Sequence, residues 1–304
     1  QGIREIQAEG AKVIIGPTDS SNFKELNKYK DTIFISLSNM EPIFKDNTIS
    51  IGISLESQIA ALEKFIIKQK KVKTLIIYPN NEYSDFIDRK IKKIKLKNYK
   101  VFKYSSNPKI LTGEIEKLTN YSQRKRNLEY RKKLLKDKED PQSKYELKKL
   151  EQIYTLGKVN FDSLIIIDFG NSLKSVLASL TFSDVDDKNI LFTTVNQWFD
   201  ESIFYENSVK NLYYPSVNFK NFKKYNKIYF NEFGTQPAEI SILAYDALGL
   251  IYYVWKNKNE INSIKNFYTK DKIKGKIGTF SFNNDKVFQE LKIYKTENKK
   301  FIEY

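Results

Sequence analysis

Short apolar runs alternate with longer amphipathic stretches along most of the chain. The runs Lys12–Gly16 (KVIIG), Thr32–Leu37 (TIFISL), Thr74–Tyr78 (TLIIY), Tyr99–Tyr104, Asp162–Ile167 (DSLIII) and Asn189–Thr194 (NILFTT) read as strands. Their near-continuous Ile, Val and Leu content predicts burial on both faces. Between them Phe23–Lys30, Glu56–Gln69, Tyr83–Leu96 and Ser172–Leu180 carry helical spacing. Strand–helix–strand alternation predicts parallel sheets joined by right-handed crossovers. The fold class is therefore α/β. So many strands in 304 residues predict two α/β lobes rather than one sheet.

Three segments depart from the alternation. Gln1–Glu9 reads as the end of a helix, with Ile3 and Ile6 on one face and Gly10 as its stop. A helix opening such a lobe follows a strand, so further chain is expected before residue 1. Residues 111–157 form a charged helical insertion. Between Arg124 and Glu151 it holds eleven Lys or Arg and six Asp or Glu. Asp140-Pro141 reads as an N-cap followed by a first-turn proline, and Gly157 as a helix stop. Leu128, Leu135, Leu147, Leu150 and Ile153 are expected to seat one face of it on the lobe. The insertion is either a solvated cover or a docking surface for a partner with an acidic face. After the last parallel strand, Phe219–Phe233 and Ala238–Lys256 read as helices, with Pro237 opening the second. Lys276–Phe282 and Glu290–Tyr294 read as an antiparallel hairpin about Asn283-Asn284-Asp285.

Composition narrows the function. With no Cys and no His, disulfides, Cys/His zinc sites, Cys nucleophiles and imidazole relays are excluded. No apolar run approaches a membrane span. The net charge of +15 suggests nucleic acid, but five of the 52 basic residues are Arg, the preferred reader of phosphate and base edges. Nucleic-acid binding is not expected. Asp168-Phe169-Gly170 spells a kinase tripeptide without a glycine-rich loop, and Ser21–Lys24 and Ser106–Lys109 match S-x-x-K without K-T-G. Asp184, Asp186 and Asp187 lack the Gly and distal Glu of a calcium loop and read as caps of a turn. No catalytic residue, metal or cofactor is expected, and the chain reads as a non-enzyme.

Position carries what remains. In open α/β sheets, ligands sit outside the carboxyl ends of strands. Those ends are followed here by Ser20, by Ser38, Asn39 and Met40, by Tyr83, by Phe169, and by Asn196 and Trp198. Hydroxyl and amide groups at helix N-termini can hold an anion, and the aromatics add walls. Ser20, Ser38 and Asn80, each taken alone, also read as N-caps.

Several stretches resemble the type I periplasmic binding proteins, the Leu/Ile/Val-binding group. They are Gly10–Ser21 (GAKVIIGPTDSS), Ile35–Asn39, Ile76–Ser84 (IIYPNNEYS) and Pro237–Tyr245 (PAEISILAY). Tyr121–Gly157, Phe161–Asp168 (FDSLIIID), Phe182–Asp186 (FSDVD) and Trp198-Phe199-Asp200 resemble the penicillin-binding protein activator branch. The resemblance implies two Rossmann-like lobes crossed by three hinge strands, less an initial strand–helix–strand. The expected lobes are 1–71 with 217–272, and 72–216 with 273–304. It also implies a ligand carboxylate held near Ser20, Ser38, Asn39 and Met40, and covered by Tyr83. The acidic partner of a ligand ammonium is replaced by Asn196 and Gln197, which disfavours free amino acids. Two functions follow from the resemblance. One is a regulator that docks on a peptidoglycan synthase, a penicillin-binding protein. The other is a receptor that delivers a small polar ligand, such as an amino acid, to an ABC permease. Either implies a periplasmic setting, with a lipid anchor as in lipoproteins of that branch.

Overall fold

The computed structural model describes residues 2–21, 23–42, 46–205, 210–283 and 285–304. Helix α1 (Gly2–Ala8) leads into β1 (Val13–Ile15), α2 (Phe23–Leu26), β2 (Ile33–Ser36) and β3 (Thr48–Ser50). Next come α3 (Leu55–Lys68), β4 (Thr74–Pro79), α4 (Ser84–Ile91) and β5 (Tyr99–Tyr104). Three helices follow, α5 (Pro108–Leu118), α6 (Tyr121–Lys136) and α7 (Pro141–Leu150). Alternation resumes with β6 (Ser163–Ile166), α8 (Gly170–Phe182), β7 (Leu191–Thr194) and β8 (Leu212–Ser216). Helices α9 (Phe219–Phe233) and α10 (Leu243–Lys258) precede β9 (Ile273–Lys274), β10 (Thr279–Asn283), β11 (Lys286–Glu290), β12 (Lys292–Glu297) and β13 (Lys300–Glu303). Contacts divide the chain into two compact units, Gln1–Ala61 with Pro215–Lys292, and Leu62–Tyr214 with Ile293–Tyr304.

In the first unit β1, β2 and β3 form a parallel sheet in that order. Every residue of β2 is buried, as a central strand covered on both faces requires. Phe23, Leu26 and Phe34 make a small core against which Ile3, Ile14, Tyr29 and Met40 pack. Buried Asn47 donates to the Leu26 and Tyr29 carbonyls at 2.8 and 3.0 Å, satisfying the open end of α2. A second, antiparallel sheet runs β11-β10-β9. It is tied to the loop after β3 by buried Gln289, whose amide donates to the Ile51 and Gly52 carbonyls at 2.8 Å each.

The second unit holds the sheet β13-β12-β8-β7-β6-β4-β5, parallel from β8 to β5. Its core joins Leu75, Ile77, Leu164, Ile166 and Phe192 of the strands to Leu173, Val176, Leu177 and Leu180 of α8. Leu111 and Ile115 of α5 complete this layer. The α6–α7 hairpin closes on Leu128, Leu135 and Leu150. Arg131 forks onto Glu146 across it with two 2.8 Å bonds. Asp140 caps α7 as expected, accepting from the Ser143 N–H at 2.8 Å with Pro141 behind it.

Some boundaries differ from the sequence reading. The insertion opens earlier, at Pro108, because Asn107 caps α5 by accepting from the Lys109 N–H at 3.0 Å. Its last helix stops at Leu150, ahead of Gly157, and Ile153 is exposed rather than seated. The backbone leaves α7 early because the Leu156 N–H is drawn to the Arg124 carbonyl at 3.0 Å. Ala238 caps a 3-10 turn, Glu239–Ile242, so α10 starts at Leu243 and Pro237 lies outside it. Strands β3 and β8 escaped the pattern. The first is three residues long, and the second contains Pro215, which weakens a strand reading. The tail hairpin pairs β10 with β11, and Asn284 of its expected turn lies outside the described residues.

Candidate functional site

Parallel strands that are neighbours end on the same edge, so the topology decides which loops meet. In the first unit Ser20 follows β1, and Ser38, Asn39 and Met40 follow β2. Ser38 is buried, Ser20 and Met40 half-buried, and Asn39 exposed. The Ser36 hydroxyl donates to the Pro17 carbonyl at 2.8 Å and accepts from the Ser38 N–H at 3.1 Å. The Ser38 hydroxyl in turn accepts from the Met40 N–H at 3.1 Å. The amide that the resemblance offers to a ligand carboxylate is therefore spent on a turn. Met40 packs on the small core around Phe34. Asp19 binds both the hydroxyl and the N–H of Ser21, and these bonds hold its carboxyl below the usual range.

Gly52 belongs to this rim and was not singled out from the sequence. Its N–H donates to the Ser38 carbonyl at 3.1 Å. A Cβ there would lie 2.1 Å from that oxygen, so the backbones meet only because residue 52 has no side chain. The signal was a lone glycine inside Ile51–Ile53, at a spacing that could equally mark a bulge.

In the second unit β4, β6 and β7 are adjacent and parallel. This brings Tyr83 after β4, Phe169 after β6, and Asn196 and Trp198 after β7 to one edge. Tyr83 is 54% and Phe169 72% exposed, while Trp198 is half-buried. The Asn196 side chain accepts from the Trp198 N–H at 3.0 Å. Trp198 and Phe199 both take left-handed backbone, φ +49° and +64°, at a cost of order 1–3 kcal/mol each. Burial of Phe199 against Tyr294 and Phe301, with centroids 4.9 and 5.3 Å away, offsets it. Asp200 then accepts from the Ser202 N–H and hydroxyl at 2.8 and 2.6 Å, opening the 3-10 turn Glu201–Tyr205.

The polar groups at this edge are bonded within the chain. Buried Asp168 accepts from the Phe169 N–H at 2.8 Å, the Ser172 hydroxyl at 2.5 Å and the Tyr104 hydroxyl. Burial above all, and then the charge of Asp168, push the Tyr104 phenol far above its ordinary value. Buried Gln197 donates to the Asp168 and Val195 carbonyls, both at 3.0 Å. Asp168, Tyr104 and Gln197 thus form one structural network. The tripeptide Asp168-Phe169-Gly170 is the start of α8, with Phe169 as its N-cap residue. Asp186 caps the turn before β7, accepting from the Lys188 and Asn189 N–H groups at 3.2 and 3.1 Å. Among the described residues, no group of three or more metal-binding side chains comes together.

No protein-family model matches this chain, and no curated protein matches its sequence. Solved structures match its fold. An ABC transporter substrate-binding protein from Desulfitobacterium hafniense, in complex with Leu, aligns over 100% of this chain and 84% of its own. The TM-score is 0.62 at 14% identity. The branched-chain amino acid transporter substrate-binding protein LivJ from Streptococcus pneumoniae, in complex with isoleucine, aligns over 98% and 81%, with a TM-score of 0.57 at 15% identity. The C-domain of LpoA from Haemophilus influenzae, a regulator of PBP1A, aligns over 99% and 85%, with a TM-score of 0.60 at 12% identity. The chain has the type I periplasmic binding protein fold. These structural neighbours are binding proteins and a regulator rather than enzymes.

Proposed function

We propose that this chain is a non-catalytic regulator of a peptidoglycan synthase, acting in the periplasm by docking to it as penicillin-binding protein activators do. The observation that carries the reading is the occupied rim of the second unit. A free amino acid needs a carboxylate ready to meet its ammonium, because a buried cation without one is costly. Asp168 is committed to Tyr104, Ser172 and Phe169, and the Gln197 amide to two carbonyls. The α6–α7 hairpin adds a charged surface beyond the two-lobe fold. The test is a pull-down of the cognate synthase by the full-length protein. Retention supports the reading, and a synthase that washes off while the bait stays folded sinks it.

A second reading has one observation of its own. Tyr83 and Phe169 stand exposed beside half-buried Trp198 on one edge, as the aromatic wall of a solute receptor for an uptake system would.

A further inference from the structure

Helix α10 lays Tyr245, Gly249, Tyr252, Tyr253, Lys256 and Asn257 along one wall of a groove of about 770 Å³. These positions recur at i, i+4, i+7, i+8, i+11 and i+12, one face of a helix. The opposite wall is the segment about the edge strand β9, which contributes Lys272, Lys274 and Lys276. All of these residues lie within the first unit. Tyr245 and Tyr252 are exposed, and Tyr253 is held by a hydrogen bond from its hydroxyl to Asp271. Lys272 already faces Glu290. Among the described residues Lys256 and Lys274 have no ion-pair partner, and the one carboxylate lining the groove, that of Asp246, is buried and bonded to backbone N–H groups.

Two further features mark the groove as open by construction. Gly249 sits in mid-helix, where glycine costs up to about 1 kcal/mol relative to alanine. A Cβ there would meet nothing within 4 Å. The space over Gly249 is therefore open, and a long side chain there would project into the groove. Buried Asp246 of α10 accepts from the Lys276 and Ile277 N–H groups of the facing wall and fixes the turn that carries Lys276. A Cβ on Gly275 would lie 2.3 Å from that carboxylate, so this wall is held close.

We infer that this groove binds an extended, acidic polypeptide segment of a partner protein. The inference rests on the docking reading above and gives it a surface. Lys272 and Lys274 are two residues apart on an extended segment, about 7 Å. Alternate carboxylates of an extended peptide repeat at the same interval, and its intervening side chains can lie on Tyr252 and Tyr245. The cations are all lysine, whereas phosphate recognition favours the arginine fork, so protein is preferred here over nucleic acid.

The test is fluorescence anisotropy of the full chain with a fluorescein-labelled twelve-residue peptide of alternating Glu and Thr, at low and moderate salt. Binding is expected, and Lys256→Glu/Lys274→Glu should weaken it at least about tenfold, since like charges then face each other. Gly249→Leu raises helix propensity while filling the groove, so it should keep the fold and lose the peptide to a similar extent. The reversal Lys93→Glu/Lys97→Glu/Lys100→Glu, on exposed lysines of the other unit, should change affinity less than about twofold at moderate salt. Absence of binding overturns the inference, as does an equal loss in the distant reversal, which means attraction to net charge alone. Oligothymidylate of matched charge binding as tightly, and losing affinity in the same variants, also overturns it. A synthase retained in the pull-down by Gly249→Leu protein removes the groove as the docking surface and leaves the regulator reading standing.

Discussion

At the residue scale, two positions in the first unit depend on contacts that no local pattern reveals. Gly52→Ala should cost about 3 kcal/mol, because its Cβ would sit 2.1 Å from the Ser38 carbonyl and one backbone must move. Urea unfolding measures that cost, and a variant as stable as the parent would contradict the close approach. Asp246 is the second. Burial raises its carboxyl from 3.8 to about 6, against the pull of the Lys276 and Ile277 N–H bonds. The folded state holds this proton more tightly than the unfolded chain, so the group's contribution is fully present below about pH 4. It is lost as pH rises through about 6, which amounts to ~3 kcal/mol. Asp246→Asn removes that titration. The stability of the parent relative to Asp246→Asn should therefore fall by ~3 kcal/mol between pH 3.5 and 7. A difference that stays flat with pH would show that the carboxyl is not desolvated. Neither residue was legible in advance. Glycine and aspartate have many local uses, and the partners here lie 14 positions away for Gly52 and about 30 for Asp246.

At the element scale, the insertion is held by one buried cation. Arg124 donates to the Thr119 carbonyl at 3.0 Å, the Thr155 hydroxyl at 2.9 Å and the Asp184 carbonyl at 3.2 Å, and also to the Ser183 carbonyl. Desolvation lowers its pKa, and the nearby Asp184 charge opposes that. Arg124→Ala leaves these acceptors unpaired and should cost about 3 kcal/mol. Arg124→Lys should rescue less than half, since one ammonium cannot span four acceptors fanned about a planar fork. Hydrogen exchange reads this locally. Amides of α6 and α7 should lose protection in both variants while those of β4 and β6 keep theirs. Full rescue by lysine would mean that charge alone holds the insertion. The helices themselves were legible, because Leu128, Leu135 and Leu150 and the Asp140 cap are local signals. That Arg124 points inward was not, because an arginine in a run of basic residues looks solvated until Thr155 and Ser183 close over it.

At the scale of the whole molecule, fold and function separate. The same architecture accommodates a Leu-bound substrate-binding protein and a regulator of PBP1A among its neighbours, so function follows from surfaces rather than topology. Among the described residues, no helix is long and apolar enough to cross a membrane. If docking is the function, a thermal-shift screen of amino acids and muropeptides should leave Tm unmoved. A ligand at about a thousand times its Kd would instead add roughly 4 kcal/mol, and such a shift would favour the receptor reading. The sequence by itself determined the α/β class, the parallel strands and the charged insertion. It also excluded Cys and His chemistry. Each of these depends on composition or on periodicity over a few neighbouring residues. Tertiary structure alone decided that Ser38 spends its hydroxyl on Met40, that Asp168 belongs to Tyr104, and that Lys274 and Tyr252 line one groove. Those outcomes depend on which distant backbones meet, and hydrogen bonds and burial between remote segments leave no periodic trace along the chain.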